Sequence, residues 1–231
     1  MNFVLLPGFG LGAFPLQRLH SGLQAKGHSV TLVDLPQDPS WESYLSTLPT
    51  PQTPSVVVGW SLGGQVATLL AQKWDCALVT LASNPRFCTT DDWPCAMPVE
   101  EFRAFEQRYI TQPDKSRLRF AALVCQGDAQ AKAYLGQLRN SFEHSVDVVA
   151  STQQLRLLAE LDTRSVLASL SVPQYHFFAG QDALVPAGVA QRLALPAASS
   201  QVFQWADASH FLPYTHAPQL VEALCELFPG E

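Results

Sequence analysis

The segment Gly59-Trp60-Ser61-Leu62-Gly63-Gly64 constrains this chain more than any other. It follows a β-type apolar run, Ser55-Val56-Val57-Val58, and precedes a helix-like run, Gln65 to Lys73. A strand that turns into a helix across G-x-S-x-G needs unusual backbone angles at the serine. Small residues two places to either side let the flanking backbones pass. The serine hydroxyl then stands at the carboxyl edge of a sheet, where the amides of a helix N-terminus favour developing negative charge.

A serine hydroxyl is a weak nucleophile near neutral pH. It needs a histidine to take its proton and an acid to hold that histidine in one tautomer. In a strand–elbow–helix architecture the chain order is Ser, acid, His. Asp182 follows the aromatic run Gln174–Ala179 and is the expected acid, while His210 follows the run Gln201–Trp205 and is the expected base. Asp207, three residues before His210, is a rival acid expected to stabilise its own loop. His20, His28, His144, His176 and His216 have weaker positions. None has a metal-ligand spacing, so no metal site and no cofactor are expected. The first apolar run, Asn2–Leu6, enters Pro7-Gly8-Phe9-Gly10-Leu11-Gly12. The backbone amides of Phe9 and Leu62 are the expected oxyanion donors. The Pro7–Gly12 turn fits neither dinucleotide nor P-loop spacing.

Six strand segments, near 2–6, 29–34, 55–60, 77–82, 174–179 and 201–205, alternate with helical ones near 14–26, 40–48, 64–74, 187–194 and 217–228. That alternation predicts an α/β architecture, a mostly parallel six-stranded sheet with helices on both faces. Residues 86–165 break it with amphipathic stretches at 99–110, 114–125, 128–142 and 151–161. They read as a helical cap (lid) inserted into a core made of 1–85 and 166–231. The chain has 231 residues, 47% of them hydrophobic, which suits one core of this size. No apolar run reaches membrane-spanning length. Five cysteines without a C-x-x-C pair suit reduced thiols, so a cytoplasmic protein is expected. The net charge of −6 argues against nucleic-acid binding. Within the cap, Arg103, Arg108, Lys115, Arg117, Arg119, Lys132 and Arg139 face only Glu106, Asp114 and Asp128 between 103 and 139. This local positive surface suits an acidic partner.

The chain resembles the α/β-hydrolases, and more closely the pimeloyl-acyl-carrier-protein methyl ester esterases of biotin synthesis. The resemblance rests on the Gly59–Gly64 elbow, on Leu81-Ala82-Ser83-Asn84-Pro85-Arg86-Phe87 followed by Asp92-Trp93-Pro94, and on Arg119-Phe120-Ala121-Ala122-Leu123. It implies an α/β-hydrolase fold and cleavage of a methyl ester on a pimeloyl chain held by acyl carrier protein. It further implies carrier contacts at Lys115, Arg119 and Lys132, and an acyl channel lined by Phe9, Trp60, Phe120, Leu123 and Val124. Lysine stands at cap positions where the family has arginine. The expected chain is a monomeric Ser61–His210–Asp182 enzyme acting on an acyl carrier protein, with neither nucleic acid nor membrane as partner. The alternatives are a general short-chain carboxylesterase or thioesterase, and, further off, a non-hydrolytic enzyme or a binding protein on the same fold.

Overall fold

The computed structural model describes residues 1–35, 41–142, 145–196, 198 and 200–229. His144 lies outside them.

Strands β1 (Asn2–Leu6), β2 (Ser29–Leu32), β3 (Ser55–Trp60), β4 (Ala77–Leu81), β5 (Gln174–Ala179) and β6 (Ser200–Trp205) form one sheet in the order β2-β1-β3-β4-β5-β6. Every pairing is parallel. All six residues of β3 are buried, whereas β2 and β6 at the edges have no buried residue. This is why the central strands read as unbroken apolar runs: both of their faces are covered.

Helices α1 (Gln17–Ala25), α2 (Trp41–Thr47) and α3 (Leu62–Trp74) connect the first four strands. Helices α4 (Val99–Thr111), α5 (Pro113–Cys125), α6 (Ala131–Asn140), α7 (Val148–Glu160) and α8 (Arg164–Ser169) lie between β4 and β5. The chain closes with α9 (Leu212–Thr215) and α10 (Ala217–Leu227). α1 packs on α10, and α3 packs on α8. Right-handed crossovers put those two pairs on opposite faces of the sheet.

Three segments differ from the sequence expectation, among them α9, which has no counterpart among the expected helices. The helix expected over 187–194 is only a 3-10 turn, Ala187–Val189, with Gly188 inside it; the good helix formers at 190–194 that follow do not extend it, so here tertiary context overrides propensity. α8 has no counterpart among the expected helices.

The long excursion leaves and rejoins the core at a clasp. Arg86 and Asp162 form an antiparallel bridge, their side chains pair at 3.0 Å, and Thr163 N–H donates to the Pro85 carbonyl at 2.9 Å. Arg164 pairs with both Asp162 (2.6 Å) and Asp92 (2.9 Å). Trp93 Nε1 donates to Asn84 Oδ1 at 3.0 Å. The Asn84–Trp93 stretch is thus the neck that ties α4–α7 to the sheet.

One buried group makes stability depend on pH. His176 stands in β5 opposite Thr80, its Nδ1 lies 2.7 Å from Thr80 Oγ1, and its Nε2 has no partner among the described residues. Burial lowers its pKa from 6.5 to about 4. The unfolded chain therefore takes up a proton near pH 6.5 that the folded chain refuses until about pH 4. Stability is expected to fall by about 3 kcal/mol as the pH drops through that window. Urea unfolding at a series of pH values checks this. His176→Leu should flatten that part of the profile.

Candidate active site

β1 and β3 stay paired to Leu6 and Gly59, and the connections that leave their carboxyl ends run to opposite sides of the sheet, the usual position of a site in a parallel sheet. The loop after β1 carries Phe9, and the turn after β3 carries Ser61. Ser61 has φ 55° and ψ −121°, a strained conformation for a residue with a side chain. Its amide donates to the Leu81 carbonyl (2.9 Å) and its carbonyl accepts from Gly64 N–H (2.9 Å) and Ser83 Oγ (2.7 Å). Those contacts offset a strain of roughly 1–3 kcal/mol. The hydroxyl does not cap α3 and makes no hydrogen bond to any described residue.

The elbow's glycines are set by close backbone approach. A Cβ on Gly59 would lie 2.1 Å from the Gly63 carbonyl oxygen, and one on Gly63 would lie 2.4 Å from the Pro7 oxygen. Gly59→Ala is therefore expected to destabilise the fold by several kcal/mol, through displaced backbone rather than a lost contact. A fall in the denaturant midpoint beyond that of Gly136→Ala, where a Cβ meets open space, checks this.

Asp182 and His210 are brought together. His210 Nδ1 stands 2.8 Å from Asp182 Oδ2, with the two side chains 0% and 1% exposed. The other carboxylate oxygen of Asp182 accepts amide hydrogens from Leu184 (2.8 Å) and Val185 (2.9 Å). Both carboxylate oxygens are thus engaged, which orients the carboxylate toward His210. The two loops are held in register by Gly180 N–H to the Trp205 carbonyl (2.8 Å) and Gln181 N–H to the Ala208 carbonyl (2.9 Å). With Nδ1–H directed to Asp182, the buried Nε2 of His210 is the basic nitrogen, and it has no partner among the described residues. Asp207 is 87% exposed and lies 3.8 Å from His216 Nε2, away from this pair.

The amides of Phe9 and Leu62 donate to no described residue. Leu62 opens α3, so its N–H is one of the unpaired donors of a helix start. Two unengaged amides beside a serine are what an oxyanion needs.

A cavity of about 280 Å³ lies beneath α4 and α5. Phe9, Phe120 and Leu123 line it, as the sequence suggested, together with Phe87, Met97, Phe105, Leu158 and Leu184. Glu101, Ala104 and Arg108 complete the α4 wall. The volume suits a short acyl chain, at the small end of ligand sites. Leu184 joins the cavity to Asp182, whose carboxylate holds its amide.

Two residues expected in the channel are elsewhere. Trp60 is fully buried, with Nε1 donating to the His210 carbonyl at 2.9 Å and its ring 5.4 Å from the imidazole. A Cβ on Gly8 would strike its ring at 2.8 Å. Trp60 thus braces the His210 loop and is not in the lining of this cavity. Val124 is fully buried because α5 carries two apolar stripes: Phe120 and Leu123 face the cavity, while Ala121, Val124 and Cys125 face the interior. Lys115 and Arg119 on α5 and Lys132 on α6 are exposed. None of the three makes an ion pair with a described residue. The wall residues missed in the sequence on α4, 101, 104, 105 and 108, follow the i, i+3, i+4, i+7 pattern of one helical face. That spacing is the signal that would have found them.

Among the described residues no helix is long and apolar enough to cross a membrane, and no group of three or more His, Cys, Asp or Glu side chains could hold a metal ion.

The sequence profile of the alpha/beta hydrolase family matches residues 3–224. The chain is 35% identical to the biotin biosynthesis bifunctional protein BioHC of Cellvibrio japonicus over 97% of its own length and 47% of that protein's. It therefore spans about half the length of this bifunctional relative. It is 34% identical to the pimeloyl-[acyl-carrier protein] methyl ester esterase of Xanthomonas campestris pv. campestris, covering 96% of this chain and 92% of that one. In structure it superimposes on an esterase from Exiguobacterium antarcticum with a TM-score of 0.82, over 98% and 91% of the two chains. Their 16% identity carries the fold alone. With the elbow, the parallel sheet and these matches together, the chain belongs to the alpha/beta hydrolase family, among the relatives of the pimeloyl-[acyl-carrier protein] methyl ester esterases.

Proposed function

We propose that the chain is a serine esterase that removes the methyl group from pimeloyl-acyl carrier protein methyl ester, a step of biotin synthesis, and leaves the thioester to the carrier intact. The observation that carries this reading is the apolar cavity lined by Phe9, by residues of α4 and α5 and by Leu184, whose amide is held by the Asp182 carboxylate of the Asp182–His210 pair. It suits a linear acyl chain with an ester at one end. The pimeloyl group and its carrier are proposed from the names of relatives matched over about nine-tenths of their length.

In this reading Ser61 Oγ attacks the ester carbonyl as His210 Nε2 takes its proton. The carbonyl oxygen becomes an oxyanion held by the amides of Phe9 and Leu62. The tetrahedral intermediate collapses, the carbon–oxygen bond to methoxide breaks, and His210 returns the proton so that methanol leaves. A water molecule, deprotonated by His210, attacks the acyl-enzyme and regenerates Ser61 with a free carboxylic acid on the product. Asp182 stabilises the imidazolium in both halves. Helices α4–α7, within residues 86–165, act as the cap that shields these steps from bulk water.

Lys115, Arg119 and Lys132 present the basic surface to an acidic carrier. Replacing all three by alanine is expected to lower kcat/KM for the carrier-bound ester by about ten-fold at low salt, with little effect on a small free methyl ester. The wild-type value should fall as ionic strength rises. Equal kcat/KM for free and carrier-bound ester, insensitive to salt, would instead fit a general short-chain carboxylesterase. Loss of the acyl chain from the carrier would fit a thioesterase.

A further inference from the structure

The elbow motif accounts for Gly59 and Gly63 but not for the glycine that follows them, Gly64. Gly64 is not in the left-handed region, so backbone freedom does not call for glycine there. Space does. A Cβ on Gly64 would stand 2.4 Å from Ser83 Oγ and 2.5 Å from Ser83 Cβ. Glycine at 64 therefore leaves room for the buried Ser83 side chain. Ser83 reaches this place from the end of β4 through a second strained residue. Ala82 is fully buried with φ 46°, a conformation that disfavours any residue with a Cβ, and its amide donates to the Phe177 carbonyl at 2.8 Å. Strain of this kind persists only where the surroundings hold it. Its visible result is that the 81–83 segment grips Ser61 at both ends. The Leu81 carbonyl accepts from Ser61 N–H at 2.9 Å, and Ser83 Oγ donates to the Ser61 carbonyl at 2.7 Å.

The Ser61 carbonyl and the Leu62 amide belong to one peptide unit. That unit is trans and planar, so its C=O and N–H point in opposite directions, and fixing the first aims the second. Two donors meet at the carbonyl oxygen. Gly64 N–H, at 2.9 Å, comes from the first turn of α3 and moves with the elbow. Ser83 comes from a different strand, so its bond fixes the peptide plane relative to the sheet. The same bond withdraws electron density from the carbonyl and strengthens the N–H at the other side of the unit as a donor. We propose that Ser83 is a positioning residue of the oxyanion hole: through the Ser61–Leu62 peptide it aims and polarises the Leu62 amide. It touches neither substrate nor the reacting atoms. The inference rests on the esterase reading above, which makes Leu62 N–H an oxyanion donor.

Equilibrium inhibition by a hexyl trifluoromethyl ketone and by the matching trifluoromethyl alcohol tests it. Ser61 Oγ adds to the ketone carbonyl, its proton passes to His210 Nε2, and the carbonyl oxygen becomes an oxyanion. The alcohol forms neither the bond nor the charge. In Ser83→Ala the Ser61 carbonyl keeps its Gly64 partner, so no buried acceptor is orphaned and the fold is expected to hold. That variant should bind the ketone about ten-fold more weakly and the alcohol within roughly two-fold of wild type. Its kcat on a small free methyl ester should fall by about the same ten-fold with KM little changed. Ser83→Cys, a weaker donor, should fall between the two proteins. A ketone-to-alcohol affinity ratio that Ser83→Ala leaves unchanged would overturn the proposal, because a merely structural role weakens both ligands alike. Wild-type protein that binds the ketone no more tightly than the alcohol would overturn the esterase reading and the proposal with it. The expected loss of ratio in a chain that leaves the methyl-pimeloyl carrier ester uncleaved would support the proposal and count against that substrate alone.

Discussion

Replacing Ser61 by alanine is expected to lower kcat for methyl ester cleavage by on the order of 10⁵–10⁶-fold. The size follows from the role. Without the hydroxyl there is no acyl-enzyme, and the remaining oxyanion amides and binding cavity supply only a residual rate over water. Steady-state kinetics on a methyl ester, with the variant's folding checked by circular dichroism, measures it. His210→Ala should fall by a similar amount, and the double variant should fall no further, because the two act as one unit. A double variant that loses the product of the two single effects would mean that Ser61 and His210 act independently.

Asp182→Asn carries the second large effect, about 10⁴-fold in kcat. The carboxylate accepts from His210 Nδ1 at 2.8 Å and from the amides of Leu184 and Val185. Asparagine keeps the shape, but its NH₂ group can face His210 and stabilise the wrong tautomer. Asp207→Asn is the matched control. Asp207 is 87% exposed, and its Oδ1 lies 3.8 Å from His216 Nε2. Its substitution should change kcat by less than about two-fold. A large loss in Asp207→Asn with little in Asp182→Asn would reverse the assignment of the acid.

The elbow and the central sheet were legible in the sequence because each answers to a local rule. Strands buried on both faces must be apolar throughout, as β1, β3 and β4 nearly are. The turn at Ser61 admits only glycine where backbones come within 2.1–2.4 Å of a Cβ. The choice between Asp182 and Asp207 was harder, because both lie on suitable loops. What separates them is carboxylate orientation, set by two amides that no spacing announces. The cavity wall was legible only in part. Phe9, Phe120 and Leu123 were found from their own motifs, but Phe87, Phe105, Leu158 and Leu184 come from four separate segments that meet only in the folded chain. Trp60 was misplaced for a related reason: a tryptophan beside the nucleophile suggests a pocket wall, whereas its indole reaches across to the His210 carbonyl. Ser83 belongs to the Leu81–Phe87 motif, and its bond to the Ser61 carbonyl shows what it does there.

The motif after β4 has a mechanical reading as well. Asn84, Arg86, Asp92 and Trp93 all bond within the clasp that joins α4–α7 to the sheet. Because Arg86, Asp162 and Arg164 are only about a quarter exposed, this network is better shielded from solvent than an ordinary surface ion pair. It fixes the start of the α4–α7 segment to the end of β4, next to the cavity-wall residue Phe87.

The central claim is that Ser61 cleaves the methyl ester and spares the thioester. Intact-mass analysis of methyl-pimeloyl-acyl carrier protein after incubation with the chain tests it most directly. The account predicts a carrier lighter by one methylene mass with the acyl chain still attached, and no change with the Ser61→Ala protein. A carrier stripped of its acyl chain, or one left unchanged while small free esters are hydrolysed, would contradict it.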